Sequence, residues 1–209
     1  MRKLIVAVVI LAVLLVAAVI TDGIIRNHVE QAIATQIDDQ VPGSHAQVTI
    51  SSFPFAGRLA VSGTVPTMTA HVTGVQAGPV ALDTVDVAVH DLRVARSQLV
   101  HGKVQIESIR EAIITAQVSQ ASLDHQVGVP ITIGSGTVGL GGVQVPAHLA
   151  VVNNRIDIQV APLPAISVTI PVTNLVPCIA SASLSPGHLT VTCTTDRLPP
   201  ALEHVGASF

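Results

Sequence analysis

Residues 143–160, VQVPAHLAVVNNRIDIQV, decide the fold class. Val143, Val145, Ala147, Leu149 and Val151 alternate with Gln144, Pro146, His148 and Ala150. After Asn153-Asn154, Ile156, Ile158 and Val160 alternate with Asp157 and Gln159. Successive side chains on a strand point to opposite faces, so a period of two collects the aliphatic set on one face. Two such runs around an Asn pair read as a β-hairpin, because Asn tolerates the positive φ of a tight turn. Gly141-Gly142 makes a similar turn before it. Pro146 has no N–H to give a ladder, which places its strand at a sheet edge or at a bulge.

Outward from this hairpin, the period of two holds from Ala46 on. Val85, Val87 and Val89 form another inward face, but the next apolar positions are Leu92 and Val94. A slip of one residue near His90-Asp91 implies a β-bulge. Similar slips follow Ile106 (next Ile109) and Ile113 (next Ile114). Long strands with repeated slips are what a strongly curved sheet needs. Short helices fit Ser119 to Val127, with Ser119 or Ser122 as cap, and Leu198 to Val205, with Pro199 and Pro200 near its start.

Residues 23–39 carry a helical period. Ile25, Val29, Ile33 and Ile37 recur at i, i+4 with Ala32 widening the stripe, while Arg26, Glu30, Gln31 and Asp38 fall elsewhere. Pro42-Gly43 stops the helix. The expected class is α+β, mostly β: an amphipathic helix covering the apolar face of one long, curved antiparallel sheet.

Composition narrows function. The chain has 209 residues, enough for one domain with a real core but a tight fit for two. Apolar residues make up 49% and charged ones only 11%, so the surface is either largely Thr, Ser and Gln or partly apolar and kept for a partner. Phe53, Phe55 and Phe209 are the only aromatics, and net charge is −3. With no basic stripe and almost nothing for bases to stack on, nucleic-acid binding is not expected.

Met1-Arg2-Lys3 precedes Leu4 to Ile20, 17 residues without a polar side chain. As a helix this run spans about 26 Å, at the short end of what crosses a bilayer. A cleaved signal peptide competes, with Val16-Ala17-Ala18 as a possible site, but the apolar run continues past it. A retained anchor fits better. Either way Arg2 and Lys3 stay inside and residues 21–209 face out. Residues 1–22 are therefore read as anchor or uncleaved signal segment, and 23–209 as a single exported domain. The helix at 23–39 follows the anchor almost without a linker, continuing it after a bend near Gly23.

Cys178 and Cys193 are the only cysteines. In an exported domain a disulfide is the default, against two unpaired buried thiols. Ser185-Pro186-Gly187 turns the chain between them, and Leu189, Val191 and Cys193 share one inward strand face. No His clusters with the cysteines, so no zinc site, other metal or cofactor is expected.

Three motifs invite chemistry. Gly134-Ser135-Gly136-Thr137-Val138-Gly139 matches GxGxxG, yet no helix follows to hold a pyrophosphate, and a turn in a β meander is the better reading. Leu123-Asp124-His125 suggests part of a triad, but there is no nucleophile elbow, and the nine histidines are scattered. No catalytic residue is assigned, and the chain is not read as an enzyme. Ser52-Phe53-Pro54-Phe55 is the most unusual stretch. Its aromatics either plug one end of the sheet or form an apolar lip or a tip dipping into a membrane surface, with Arg58 near enough to meet a lipid phosphate.

The order of basic start, apolar anchor, amphipathic helix, strand, and Phe53-Pro54-Phe55 turn leading to Gly63 and alternating β segments resembles the actinobacterial LmeA-like family. The closest stretches are Ile24 to Gly63 and the β pattern through about Ile170. The resemblance implies phospholipid binding in the cell envelope, with a role in lipoglycan or envelope assembly, and a fold similar to tubular lipid-binding domains. The leading expectation is an apolar cleft between helix and sheet that holds acyl chains, lined by Ile25, Val29, Ile33, Ile37, Phe53, Pro54 and Phe55. Each buried CH₂ contributes about 0.8 kcal/mol, so even a partly buried chain gives affinity. The expected partners are phospholipid, the membrane, and an envelope-assembly protein. The alternative is an anchored scaffold that binds no lipid.

Overall fold

A computed structural model of the chain describes residues 2–77, 80–95, 97, 106–127, 130–140, 142–152, 155–160, 166–169 and 176–197, with only the backbone for residues 2–16, 77, 126–127, 140, 166 and 169. The chain begins with α1 (Arg2–Gln40), one continuous helix of 39 residues. It is about 58 Å long, and its helical assignment continues without a break through Gly23. The apolar run expected to span a membrane falls largely on the residues whose side chains are not described. Among the described residues no helix is long and apolar enough to cross a membrane.

Beyond α1 come β1 (His45–Ile50), α2 (Phe55–Ser62), β2 (Thr64–Ala77), β3 (Val80–Val94), β4 (Ile106–Ser108) and β5 (Glu111–Ser119). They are followed by α3 (Gln120–Val127), β6 (Ile131–Ile133), β7 (Thr137–Leu140), β8 (Val143–Val152), β9 (Arg155–Val160), β10 (Ile166–Thr169), β11 (Ser181–Ser185) and β12 (His188–Thr195). The expectation of one long sheet is corrected: the described residues form two. A seven-stranded sheet runs β1-β2-β3-β5-β12-β11 with β4 also on β3, and a five-stranded sheet runs β10-β9-β8-β7-β6. All pairings are antiparallel. Both sheets turn their aliphatic faces into one shared core, which also takes Ile33 and Ile37 of α1, Phe55 of α2 and Leu123 of α3.

The bend near His90-Asp91 is real but differs from a one-sided bulge. Along β3 the buried positions are Val80 and Leu82, then Val85, Val87 and Val89, then Leu92 and Val94. Along β2 they are Val75, then Val72, Ala70 and Met68, then Val65. The β2–β3 register nevertheless stays constant from Thr64↔Arg93 to Ala77↔Val80. The slips therefore sit opposite each other, and both strands switch faces together. At one slip Asp91 adopts φ 50°, left-handed backbone that Asp tolerates better than most residues. Arg110 holds it there, 2.9 Å from Nη1 to Asp91 Oδ2. At the other slip Gly74 has φ 74°, and a Cβ there would lie 2.8 Å from the Gly43 carbonyl oxygen. The two paired switches curl the sheet without breaking its ladder.

The slip expected near Ile106–Ile109 appears as the break between β4 and β5. The slip expected at Ile113 does not exist. Ala112, Ile114, Ala116 and Val118 are the buried face of β5, and Ile113 lies half-buried on the other side. Pro146 lies at a local edge of β8, in agreement with the edge reading. β8 pairs with β7 through Val143 to Pro146 and with β9 through Ala147 to Val152. The proline stands where one partner hands over to the next, so its missing N–H breaks no ladder.

The hairpin of β8 and β9 forms as expected, with Val152 opposite Arg155. Thr137 to Leu140 of the glycine motif is a strand, and no helix starts there. Ser119 Oγ accepts the Ser122 N–H at the start of α3. Cys178 and Cys193 are joined by a disulfide. The short helix expected from Leu198 lies outside the described residues.

Candidate functional site

The outer edge of β1 is the free edge of the larger sheet, and α1 covers it. An uncovered edge would present unpaired N–H groups to any passing strand. Two α1 carboxylates take up such groups on β1, and a third takes up N–H groups of α2. Asp38 Oδ1 accepts the Ala46 N–H at 2.8 Å, and Glu30 Oε1 accepts the Ile50 N–H at 2.7 Å. Asp22 accepts two, from Phe55 (Oδ2, 2.9 Å) and Ala56 (Oδ1, 2.6 Å). Eight helix residues rise about 12 Å and four strand residues about 13 Å, so Asp38 and Glu30 match Ala46 and Ile50 along the edge.

Asp22 has a separate consequence. Phe55 and Ala56 begin α2, whose preceding residue Pro54 makes no side-chain cap. The first N–H groups of a helix lack internal partners, and here a carboxylate from another helix supplies them. Asp22 is only 6% exposed. It stands at i−7 from Val29, on the same stripe of α1, so a polar residue occupies a core-facing position because its neighbour is a helix end. At the other end of α2, Gly63 adopts φ 65° and returns its N–H to the Leu59 carbonyl.

This clasp creates a cleft. Ala18, Val19, Thr21 and Asp22 form one wall, and Phe53, Pro54, Ala56 and Gly57 form the other. It encloses about 570 Å³, inside the range of about 300–1,000 Å³ usual for ligand pockets. Its walls are almost wholly apolar. Thr21 Oγ donates back to the Ala17 carbonyl, and the Asp22 oxygens are taken by the α2 N–H groups. The Phe53–Pro54 peptide, at the rim, is cis.

The residues proposed to line a helix–sheet cleft separate into two groups. Ile33 and Ile37 are buried in the shared core, Val29 is half-buried against it, and Phe55 is buried beside them. Ile25 is 38% exposed and Phe53 is 62% exposed, and Pro54 is also at the surface. Phe53 and Pro54 thus meet at the new cleft, and the others do not line it. The sequence reading missed Ala18, Val19, Asp22 and the start of α2. The position of Asp22 on the apolar stripe was the signal that could have found them.

Asp124 does not support a triad: its Oδ1 accepts the Ile131 N–H at 2.8 Å, and His125 is exposed. Among the described residues no three His, Cys, Asp or Glu side chains could hold a metal ion.

The LmeA-like phospholipid-binding family matches residues 20–196. The chain belongs to this family. The LmeA-like match starts at Ile20, midway along α1, and runs through β12, taking in α2, both sheets and both cysteines. No curated protein and no solved structure matches the chain.

Proposed function

We propose that this LmeA-like chain is a membrane-anchored envelope protein that holds a phospholipid acyl chain in the cleft between Ala18–Asp22 and Phe53–Gly57. The observation that carries the reading is the cleft itself: an apolar space where the Leu4–Ile20 run ends on α1, in a chain of a phospholipid-binding family. An acyl chain gains about 0.8 kcal/mol per CH₂ buried there. The sequence Leu4 to Ile20 supports a single N-terminal span, with Arg2 and Lys3 on the cytoplasmic side. The disulfide supports an exported body, because such bonds persist in oxidising compartments. The long helix on curled antiparallel sheets agrees with a tubular lipid-binding type of fold. A part in lipoglycan or envelope assembly, alongside a protein partner, follows from the family resemblance.

The test is native mass spectrometry of the full chain purified in a mild detergent. A phospholipid adduct of fixed stoichiometry that survives detergent removal is expected in the wild type and lost in Phe53→Ser. No adduct, or an adduct unchanged by Phe53→Ser, would overturn the assignment of the cleft.

A further inference from the structure

Among the described residues, six of the eight exposed large hydrophobic side chains lie on α1 or at α2, and the other two, Val143 and Val152, lie on β8. Val19 (51%), Ile20 (57%) and Ile24 (63%) on α1 are joined by Phe53 (62%) before α2 and Val61 (77%) on it. Phe55 and Leu59 turn inward from α2, while Gly57, Arg58, Ala60, Val61 and Ser62 face out. The helix carries one cation, Arg58, and no acidic side chain.

We infer that α2 is a membrane-surface element: its outer face, with Phe53 and Val61, lies in the headgroup layer of the bilayer that holds α1. This rests on the anchored reading above. The occupant follows from distance. Asp22 is two residues beyond the last apolar residue of the Leu4–Ile20 run, about 3 Å along the helix axis. Its carboxylate is bonded directly to the first turn of α2. Interfacial helices bury their apolar faces about 5–10 Å into the headgroup boundary, so a helix clasped at this height falls within that layer. The charge agrees, since an exposed Arg beside apolar residues suits anionic headgroups and the face offers them no repelling carboxylate. The clasp would then set the height of the whole β body over the membrane and turn the mouth of the cleft toward the lipid.

The chain contains no Trp or Tyr, so a single introduced Trp reports alone. Full-length Val61→Trp, Phe53→Trp and Val143→Trp are reconstituted into phosphatidylcholine vesicles carrying some phosphatidylglycerol, with and without brominated acyl chains. Val143 is 64% exposed on β8, in the sheet that does not contain β1 and β2. V61W and F53W are expected to emit to the blue of V143W and to lose most of their emission in brominated vesicles, while V143W keeps its own. Vesicle flotation with V61W emitting like V143W and unquenched would overturn the docking and leave the anchor standing. Failure to float would overturn both. Because Val61 does not line the cleft, loss of the phospholipid adduct with V61W still quenched would remove the cleft assignment and leave the docking intact.

Discussion

Two stretches of α1, one around Ile20 and one toward Gln40, carry the same aliphatic chemistry and meet different neighbours. Toward Gln40, Ile33 and Ile37 close against β1 and the shared core, with Ile37 wholly buried. Toward Ile20, Val19, Ile24 and Ile25 stay largely exposed and the helix leans on α2 through a carboxylate. Burying one such side chain is worth about 1.5–3 kcal/mol, so the closed end stabilises the fold and the open end leaves that energy unspent. A helical stripe therefore has no single purpose along its length. Where a sheet meets it, it is core, and where a short helix is held off by a polar clasp, a cleft remains.

Three substitutions can break or sharpen this contrast, read by urea unfolding of the full chain in mild detergent and by the phospholipid adduct. The largest effect belongs to the closed end: Ile37→Ala should cost about 2–5 kcal/mol of stability with the adduct per folded chain unchanged. A shift near zero would mean that this end is not core. Next comes the clasp. Asp22→Ala strands two N–H groups at the start of α2 and should cost about 1–3 kcal/mol, with a weaker adduct as the cleft wall loosens. An undiminished adduct would uncouple α2 from the cleft. The smallest effect on stability belongs to the open end, where Phe53→Ser should stay within about 0.5 kcal/mol of wild type while abolishing the adduct. Marked unfolding by Phe53→Ser would place that ring in the core instead.

Much of the fold was legible because period and turn chemistry are local. The alternation at 143–160, the stripe at Val29 to Ile37 and the helix after Ser119 each follow from a few neighbouring residues, and each appears among the described residues. The disulfide followed from compartment and pairing number. Other features depended on partners far along the chain. Ile113 and Ile114 are both apolar, and only the register with β3 and β12 shows that Ile114 is the inward one. Pro146 was read as an edge or a bulge, and the handover from β7 to β9 that makes the local edge leaves no trace in its own neighbourhood. Glu30 and Asp38 fell off the apolar stripe and Asp22 lay before the helix as read, yet each serves backbone N–H groups that come near only once the chain has folded back.

By itself, then, the sequence determined the kinds of element, their apolar faces, the apolar start and the family resemblance, all properties of short windows or residue order. Tertiary structure alone decided that the described strands form two sheets, that α1 seals an edge, and that the cleft lies beside Phe53 rather than beneath Ile33 and Ile37. The physical reason is that a hydrophobic pattern states which side must leave water, while hydrogen-bond partners between distant segments determine what it is buried against and where a gap is left.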